Sequence, residues 1–561
     1  MLVALGVFVL LGLYAGVRLA VAVSIAKGAT SRSIVNLSLG SVGRICDSAR
    51  SAWGWLDDPV LGATEALPSV GKDIQAVRTL ARGAAQVCSP ARQLLAGLNE
   101  KHPIASLRDL GVKRVRVLGL DLISHVDSFN TELQRIQPAS LHFGLASRVV
   151  DLQAKLSQVP KLKGQLRSLV SVAAAALDSP PGSRWLIATQ NLAEARGTGG
   201  ILGSYAVVQI EADRVRLVEA GSDQTLAGFG PVVYSSLPVD TALTWGVEPK
   251  LWQDLNPSAH APYTAQQVFD SWAKYNHENL AGVIFIGQGW AQNLVGLVGP
   301  LTYEGLTLDS TNTADFLAKG IYERYPEVAK KNAAVAGIMR QLASKLALGK
   351  MHFSQFIRAL QSNPTGDKLF AWSPNPTVER SLVADHSAGY VDAQKGNRVW
   401  VSINNGGGNK LDAYTHLSGR YTVTLHQGTK SSSEASLYID VLNSSPTAGL
   451  PPYVNGRLDL PKGATYQSGS NVDLVSVYLP IGAELTGFFV DGQSYSVHDA
   501  IDRGRELLGF RLVLNPNESQ EINVTWNLSG KNYSSKNPEI ETNSLYNRPI
   551  FDVHLERRLS H

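Results

Sequence analysis

The chain has 561 residues, 44% of them hydrophobic, with a formal net charge of +4. At about 150 residues per domain this length predicts three or four folded units. The charge is too mild for a nucleic-acid footprint, and two cysteines, Cys46 and Cys88, are too few for a disulfide scaffold or a thiolate metal site.

Residues 2–23, LVALGVFVLLGLYAGVRLAVAV, form one apolar run. It reaches the ~20 residues a spanning helix needs, provided Arg18 snorkels to an interface. No basic stretch precedes it and the apolar run is long, which favours an uncleaved signal anchor over 1–23 rather than a secretory signal peptide. The flanking Lys27 and Arg32 follow the run, against the positive-inside rule. A buried amphipathic helix is the alternative. An anchor here predicts a single-pass membrane protein with most of its chain outside the cytoplasm.

Residues 24–180 are predicted to form a helical stalk or bundle. Leu122, Val126, Phe129, Leu133 and Ile136 step by four and three, and Leu145, Val149, Leu152, Leu156 and Val159 do the same. That spacing is the seam of packed helices. The stretches 56–73 and 99–114 read as breaks between them. Cys46 and Cys88 both fall in this region, as a bridge between neighbouring helices or as two small buried residues.

From Arg184 the period changes, and 181–416 reads as an α/β core. Residues 185–189 form a strand, 205–211 a second, and 215–219 its hairpin partner. LAGVIFIG at 280–287 is a continuous apolar run, the mark of a strand covered on both faces. A helix stopped by Gly299-Pro300 follows, then helices at 313–326, 333–349 and 353–361, and a strand at 399–405. After Leu417, short alternating strands predict a β-sandwich over 417–528. The polar, proline-broken tail, 529–561, is expected to be disordered at least through Ser544.

No P-loop, nucleophile elbow, zinc helix or paired Cys-x-x-Cys motif occurs. What remains is a set of polar groups at predicted strand and helix ends. Asn191, Glu194 and Arg196 end the first strand, and Asp223 follows the third. Asp254 and Asn256 precede a helix. Arg324, Lys330 and Lys331 flank a helix break, and Asn404, Asn405, Asn409 and Lys410 close the core on a glycine loop. Open α/β sheets bind ligands at the carboxyl ends of their strands. Arg and Lys clamp phosphoryl oxygens, while Asp or Glu hold Mg²⁺ or act as base. Each residue also has a plainer reading: Arg196 and Glu194 as a salt bridge, Asn409, Asp412 and Asp223 as turn caps, Lys330 and Lys331 as a solvated face.

The stretch QNLAEARGTGG (190–200) resembles the signature of the bacterial membrane proteins grouped as domain of unknown function 4012. The likeness extends to DPVLGATEALPSVGKDIQAVRTLA, LAGVIFIGQGWAQNLVGLVGPL and NNGGGNKLDAYT, covering roughly 30–528. That family in turn resembles the LytR–CpsA–Psr phosphotransferases, which move an undecaprenyl-pyrophosphate-linked glycopolymer onto an envelope acceptor. The resemblance places Asp223, Ala281-Gly282-Val283, and Arg324 with Lys331 at that family's strand–Arg-Asp element, Asp-Gly-Val unit and arginine-bearing helix. Ser222 stands where an Arg precedes the Asp, Ala281 replaces an Asp, and Lys331 stands for an Arg. The pyrophosphate clamp is therefore incomplete, and Arg196 is the residue available to supply a missing charge.

The resulting expectation is an α+β multidomain envelope protein with a transmembrane helix, a helical stalk, a LytR–CpsA–Psr-like core and a β-sandwich. It would bind a polyprenyl-pyrophosphate-linked glycan and transfer its phosphoglycan, with no nucleic-acid partner and protein partners left open. Asp223, Glu194 and Arg196 are the expected catalytic residues. Asn191, Asp254, Asn256, Arg324, Lys331, Asn409 and Lys410 are the expected ligand residues, and Asp223 the Mg²⁺ residue. A non-catalytic scaffolding protein with a degenerate core is the competing expectation.

Overall fold

The four-and-three spacing of apolar residues does produce packed helices, at Leu39–Leu56, Gly71–Ala96, Pro103–Leu110, Val112–Gln134, Leu145–Leu156 and Val159–Leu177. On Val112–Gln134 the buried residues include Leu122, Val126, Phe129 and Leu133. The computed structural model describes residues 39–559 except 59–64, 66–70, 97–102, 143, 158, 235, 247, 348–354, 356–358, 361, 364, 393–395, 428–431 and 530–536. The apolar run at 2–23 lies outside these residues, as does most of the expected helix at 353–361. Among the described residues no helix is long and apolar enough to cross a membrane. The expected break at 99–114 contains a helix of its own, Pro103–Leu110, which Gly111 separates from the next with a φ of 87° that favours glycine. Cys46 and Cys88 form a disulfide between the first two helices.

The helices are not a free-standing stalk. Leu169, Val172 and Ala176 share one core with Trp185, Ile284, Ile286 and Ala371 of the neighbouring sheet. Arg116 grips Asp385 through Nε to Oδ2 and Nη2 to Oδ1, both 2.6 Å, and the buried Ser171 hydroxyl donates to the same carboxylate. The apolar stripes are wide enough to cover a sheet as well as each other, so the bundle is a layer of the molecule.

That sheet has the order β3-β2-β1-β4-β7, with β1 Ser183–Arg196, β2 Gly199–Ile210, β3 Val215–Ser222, β4 Gly282–Ile286 and β7 Phe370–Trp372. β1 pairs antiparallel with β2 and parallel with β4. All five residues of β4 are buried, because helices cover both faces. Ile284 and Ile286 face the bundle, and Val283 and Phe285 pack with Val268 and Trp272 of the helix Ala261–Asn276. The helix Gln288–Val298 leaves β4 and stops at Gly299, as the Gly-Pro signal predicts. Beyond a small hairpin, β5 Leu301–Tyr303 and β6 Leu306–Leu308, helical turns cover 313–324 and the helix Val328–Ala347 follows.

Two sheets form the sandwich. One has the order β13-β12-β16-β10-β9-β18, the other β14-β15-β11-β8-β17. Their strands are β8 Arg398–Asn405, β9 Thr415–Gln427, β10 Ser432–Asn443, β11 Asn471–Tyr478, β12 Ala483–Val490, β13 Gln493–Ser494, β14 His498–Asp502, β15 Arg505–Leu514, β16 Ser519–Ser529, β17 Glu539–Thr542 and β18 Ile550–Leu559. The expected boundary at 416 is displaced: β8 pairs with β11 and β17 and belongs to the sandwich, not to the α/β sheet. The tail also departs from expectation. β17 pairs parallel with β8, and β18 parallel with β9 from Ile550 to Leu559. Its composition supports no core of its own, but existing sheet edges supply the backbone partners it lacks.

Candidate functional site

The β1–β2 register shifts between Asn191 and Ala195, so Leu192 to Glu194 bulge out of the ladder. A bulge re-aims side chains, and here it turns Glu194 inward. Its Oε1 accepts from Arg196 Nη2 at 2.6 Å and its Oε2 from Lys410 Nζ. Arg196 Nη2 also reaches Asp254 Oδ1 at 2.8 Å, and the guanidinium lies 4.9 Å from the Trp245 ring centroid. Glu194 and Arg196 are 3% and 2% exposed. Burial pushes the Glu194 carboxyl up, and the Lys410 and Arg196 charges outweigh it, holding Glu194 below the ordinary carboxylate range. Burial likewise pulls Lys410 down, and Glu194 more than restores its charge. The result is a buried chain of alternating charge, Asp254–Arg196–Glu194–Lys410. Arg196 is committed within it and presents no free guanidinium to a ligand.

The other predicted residues divide in two. Asn256 is fully buried and donates to Thr198 Oγ1 and the Gly200 carbonyl, both at 2.8 Å. Asn404 Oδ1 accepts the Gly197 N–H at 2.8 Å. These bonds hold the glycine turn of 197–200, whose Gly197 has the Pro257 carbonyl where a Cβ would stand. Asn409 Oδ1 accepts from Asn405 Nδ2 and the Leu411 N–H, so it shapes its own loop. Arg324 is exposed and donates to the Glu304 carbonyl at 2.7 Å. Lys330 is exposed and pairs with Glu327, the solvated face of the plainer reading. None of these five lines the cavity at the carboxyl ends of the strands.

Asn191 and Lys331 converge on one cavity, with Asp223 and Lys410 near Lys331 but outside the cavity lining. A cavity of about 110 Å³ lies between the carboxyl ends of β1 and β4, β2 and β3, and the helices beyond. Its apolar wall includes Ile286, Leu317, Ile321, Val335, Met339 and Leu342, and its polar lining includes Asn191, Gln288, Tyr322 and Lys331. Lys331 Nζ lies 5.7 Å from the Tyr322 ring centroid and 5.0 Å from that of Tyr453, which is also 5.2 Å from Lys410 Nζ. Among the described residues Lys331 forms no ion pair. Asn191 Nδ2 donates to the Tyr322 hydroxyl, and Gln288 Nε2 donates to Asn191 Oδ1. Burial raises the Asp223 carboxyl, and the Lys331 and Lys410 charges oppose the rise.

Gln288, Tyr322 and Tyr453 were missed in the sequence. Gln288 directly follows the β4 run, so the strand-end rule applied there would have found it. Tyr453 sits in LPPYVNG and carries no such signal. The amino end of the helix Gln288–Val298 is not open to an anion: Asp367 Oδ2 accepts its Gly287 and Trp290 N–H groups at 3.1 and 3.0 Å. Among the described residues no group of three or more His, Cys, Asp or Glu is placed to hold a metal ion.

Residues 182–322 match the model of a family described as Protein of unknown function (DUF4012). That is the family the QNLAEARGTGG stretch resembles. The matched segment runs from the start of β1 to Tyr322 and so supplies Asn191, Asp223, Gln288 and Tyr322, while Lys331, Lys410 and Tyr453 lie beyond it. No curated protein matches the chain. Among solved structures, a "putative nutrient binding protein" from Legionella pneumophila subsp. pneumophila str. Philadelphia 1 is similar at 9% identity and a TM-score of 0.14. The likeness covers 23% of this chain and 43% of that one, and at that score it carries no argument.

Proposed function

We propose that the protein is a bacterial envelope protein that binds an amphiphilic anionic ligand of the polyprenyl-pyrophosphate-linked glycan class. The observation that carries this reading is the placement of Lys331. Its ammonium forms no ion pair among the described residues and stands at the edge of an apolar-walled cavity beside two tyrosines, with Asp223 as a nearby carboxylate. An apolar wall suits a lipid chain, Lys331 suits a phosphoryl oxygen, and Tyr453 offers an exposed ring face for a sugar. The Cys46–Cys88 disulfide supports a location outside the reducing cytosol. A signal anchor at 2–23 would hold the chain at the membrane where such ligands reside.

Transfer of the phosphoglycan is the further step of this reading. Asp223 is the carboxylate facing Lys331, and its raised proton affinity suits a base or a partner to a ligand-bound Mg²⁺. Arg196, Glu194 and Asp254 are assigned a structural role, because each already has a charged partner. The scaffolding alternative is favoured by one observation: Arg324, the expected second clamp, points away to Glu304.

The test is binding of a polyprenyl pyrophosphate in detergent, followed by native mass spectrometry. Lys331→Ala is expected to weaken binding ~10- to 100-fold, the value of one charge-assisted contact of about 1.5–3 kcal/mol. Arg324→Ala is expected to leave it unchanged. Equal affinity of wild type and Lys331→Ala would remove the site assignment.

A further inference from the structure

The outward face of the sheet β13-β12-β16-β10-β9-β18 holds a hollow of about 1020 Å³. The strand register explains its shape. Thr422 of β9 stands opposite Ser436 of β10, and Ser436 opposite Thr525 of β16. The Thr525 hydroxyl lies 3.0 Å from that of Thr486 on β12. These short side chains form a floor that crosses four strands. They alternate with the buried Tyr421, Val423, Leu437, Val524 and Trp526, and so point away from the sandwich core. Longer side chains stand on both sides. One wall is Arg420, Tyr438 and Asn523, which are register partners in turn, and the other is Glu434 with its partner Asn527. At about 4.8 Å per strand spacing, the trough runs roughly 14 Å from β9 to β12.

The polar groups of this trough are uncommitted. Among the described residues the side chains of Arg420, Thr422, Ser436, Asn523 and Asn527 form no hydrogen bond or ion pair. Asp552 of β18 is the register partner of Arg420 and still does not pair with it. Charge is close to balanced, with Arg420 and Arg558 set against Glu434, Asp552 and Glu556. Arg558 and Glu556 already meet each other at 3.0 Å.

This chemistry selects among partners. A nucleic acid needs a basic track, and a lipid surface needs exposed apolar and basic side chains. A protein partner needs an apolar or aromatic centre to its interface. A sugar presents hydroxyls that both donate and accept, which Thr, Ser and Asn match, and an apolar ring face that lies on an aromatic side chain. Tyr438 supplies one aromatic ring in the wall. Phe489, the register partner of Asn523, supplies a second at the β12 end. Its ring lies over Gly487, where a Cβ would stand 2.5 Å from it and 2.9 Å from the Thr525 hydroxyl.

We propose that this sheet face is a binding trough for an uncharged oligosaccharide strand, laid across β9, β10, β16 and β12. Its volume accommodates several sugar rings, at the upper end of the ~300–1,000 Å³ range of ligand sites. The trough shares no lining residue with the Lys331 cavity and does not depend on the lipid-linked ligand.

The full-length chain is purified in a detergent without a sugar headgroup and applied to an array of hexasaccharides. The array carries neutral chains of glucose, galactose, mannose and N-acetylglucosamine, with hexagalacturonate as the acidic arm. Capture by at least one neutral chain is expected, with its affinity measured by isothermal titration calorimetry. Ser436→Trp fills the middle of the floor and should weaken that binding roughly tenfold or more. If Ser436→Trp does not fold, Asn523→Ala, which removes one uncommitted amide, should weaken it several-fold. Lys331→Ala should leave it unchanged. No capture by any neutral chain would overturn the proposal and leave the reading of the Lys331 cavity standing. Capture by hexagalacturonate alone would overturn the ligand class. Unchanged affinity in a folded Ser436→Trp, or in Asn523→Ala, would overturn the location, as would loss of binding in Lys331→Ala.

Discussion

Glu194 and Lys410 meet as a buried ion pair although one ends the central strand of the α/β sheet and the other follows the first strand of the sandwich. Arg196 shares the same carboxylate, so Glu194 answers for two buried cations. Glu194→Gln removes the charge and keeps the shape. It is expected to destabilise the fold by about 3–5 kcal/mol, the cost of leaving a buried charge unpaired. Urea unfolding checks it. Lys330→Ala, which breaks an exposed pair, should leave the midpoint where it was.

A buried carboxylate pair makes stability depend on pH. The Tyr478 hydroxyl lies 2.7 Å from Asp240 Oδ2 and 3.2 Å from Asp502 Oδ2. Its one hydrogen serves one acid, which leaves the other to carry a proton. Burial, with the Asp240 charge, raises Asp502 to about 6. The folded state thus holds a proton that the unfolded chain, titrating near ~3.9, releases first. Stability from this group is present at low pH, falls as pH rises from about 4 to about 6, and is gone above that window. Asp502→Asn does not titrate, so its melting temperature should gain on wild type between about pH 4.5 and about pH 7.5. Parallel profiles would refute the assignment.

The Cys46–Cys88 bridge closes a loop with a sequence separation of 42. The chain-entropy model gives about 4 kcal/mol for a loop of that size. Cys46→Ser with Cys88→Ser should therefore lower the melting temperature markedly, measured by circular dichroism. Both sulfurs are buried, so dithiothreitol should act slowly on the native wild type.

Truncation after Ser529 tests the tail. It removes β17 and β18, and with them Asn543, whose Nδ2 donates to the carbonyls of Arg196 and Ile403. The edges of β8 and β9 are then bare. Loss of soluble, monodisperse protein on size-exclusion chromatography is the expected outcome, because uncovered edges template aggregation. A truncated chain as stable as wild type would contradict the pairing.

Periodicity makes most of the elements legible in the sequence alone. Val283 and Phe285 alternate with Ile284 and Ile286, and the absence of a polar face in that run was enough to place β4 between helices. The site was harder to read. Glu194 and Arg196 stand two apart, and the plain salt-bridge reading was available. Asp254 and Lys410 join them only because the chain folds back, and no local pattern carries that. Asn471 and Asp473 did leave a trace: they occupy the same phase of β11 as the buried Val475 and Val477. Polar residues in the inward phase of a strand need partners, which here come from the loop of Asn409 and Asp412. The tail was misread because composition reports whether a segment can make its own core, not whether a neighbour offers it an edge.

β1 is a single strand with four addresses. Trp185 packs into the core of the helical layer, Leu186 into the opposite face of the sheet, Leu192 and Ala193 beneath the helical turns of 313–324, and Ala195 into the sandwich. A rod shared this way acts as an axle without a bearing. The layers cannot hinge about it without sliding side chains out of several cores together. The carboxyl end of β1 is therefore a rigid seat for whatever packs against it.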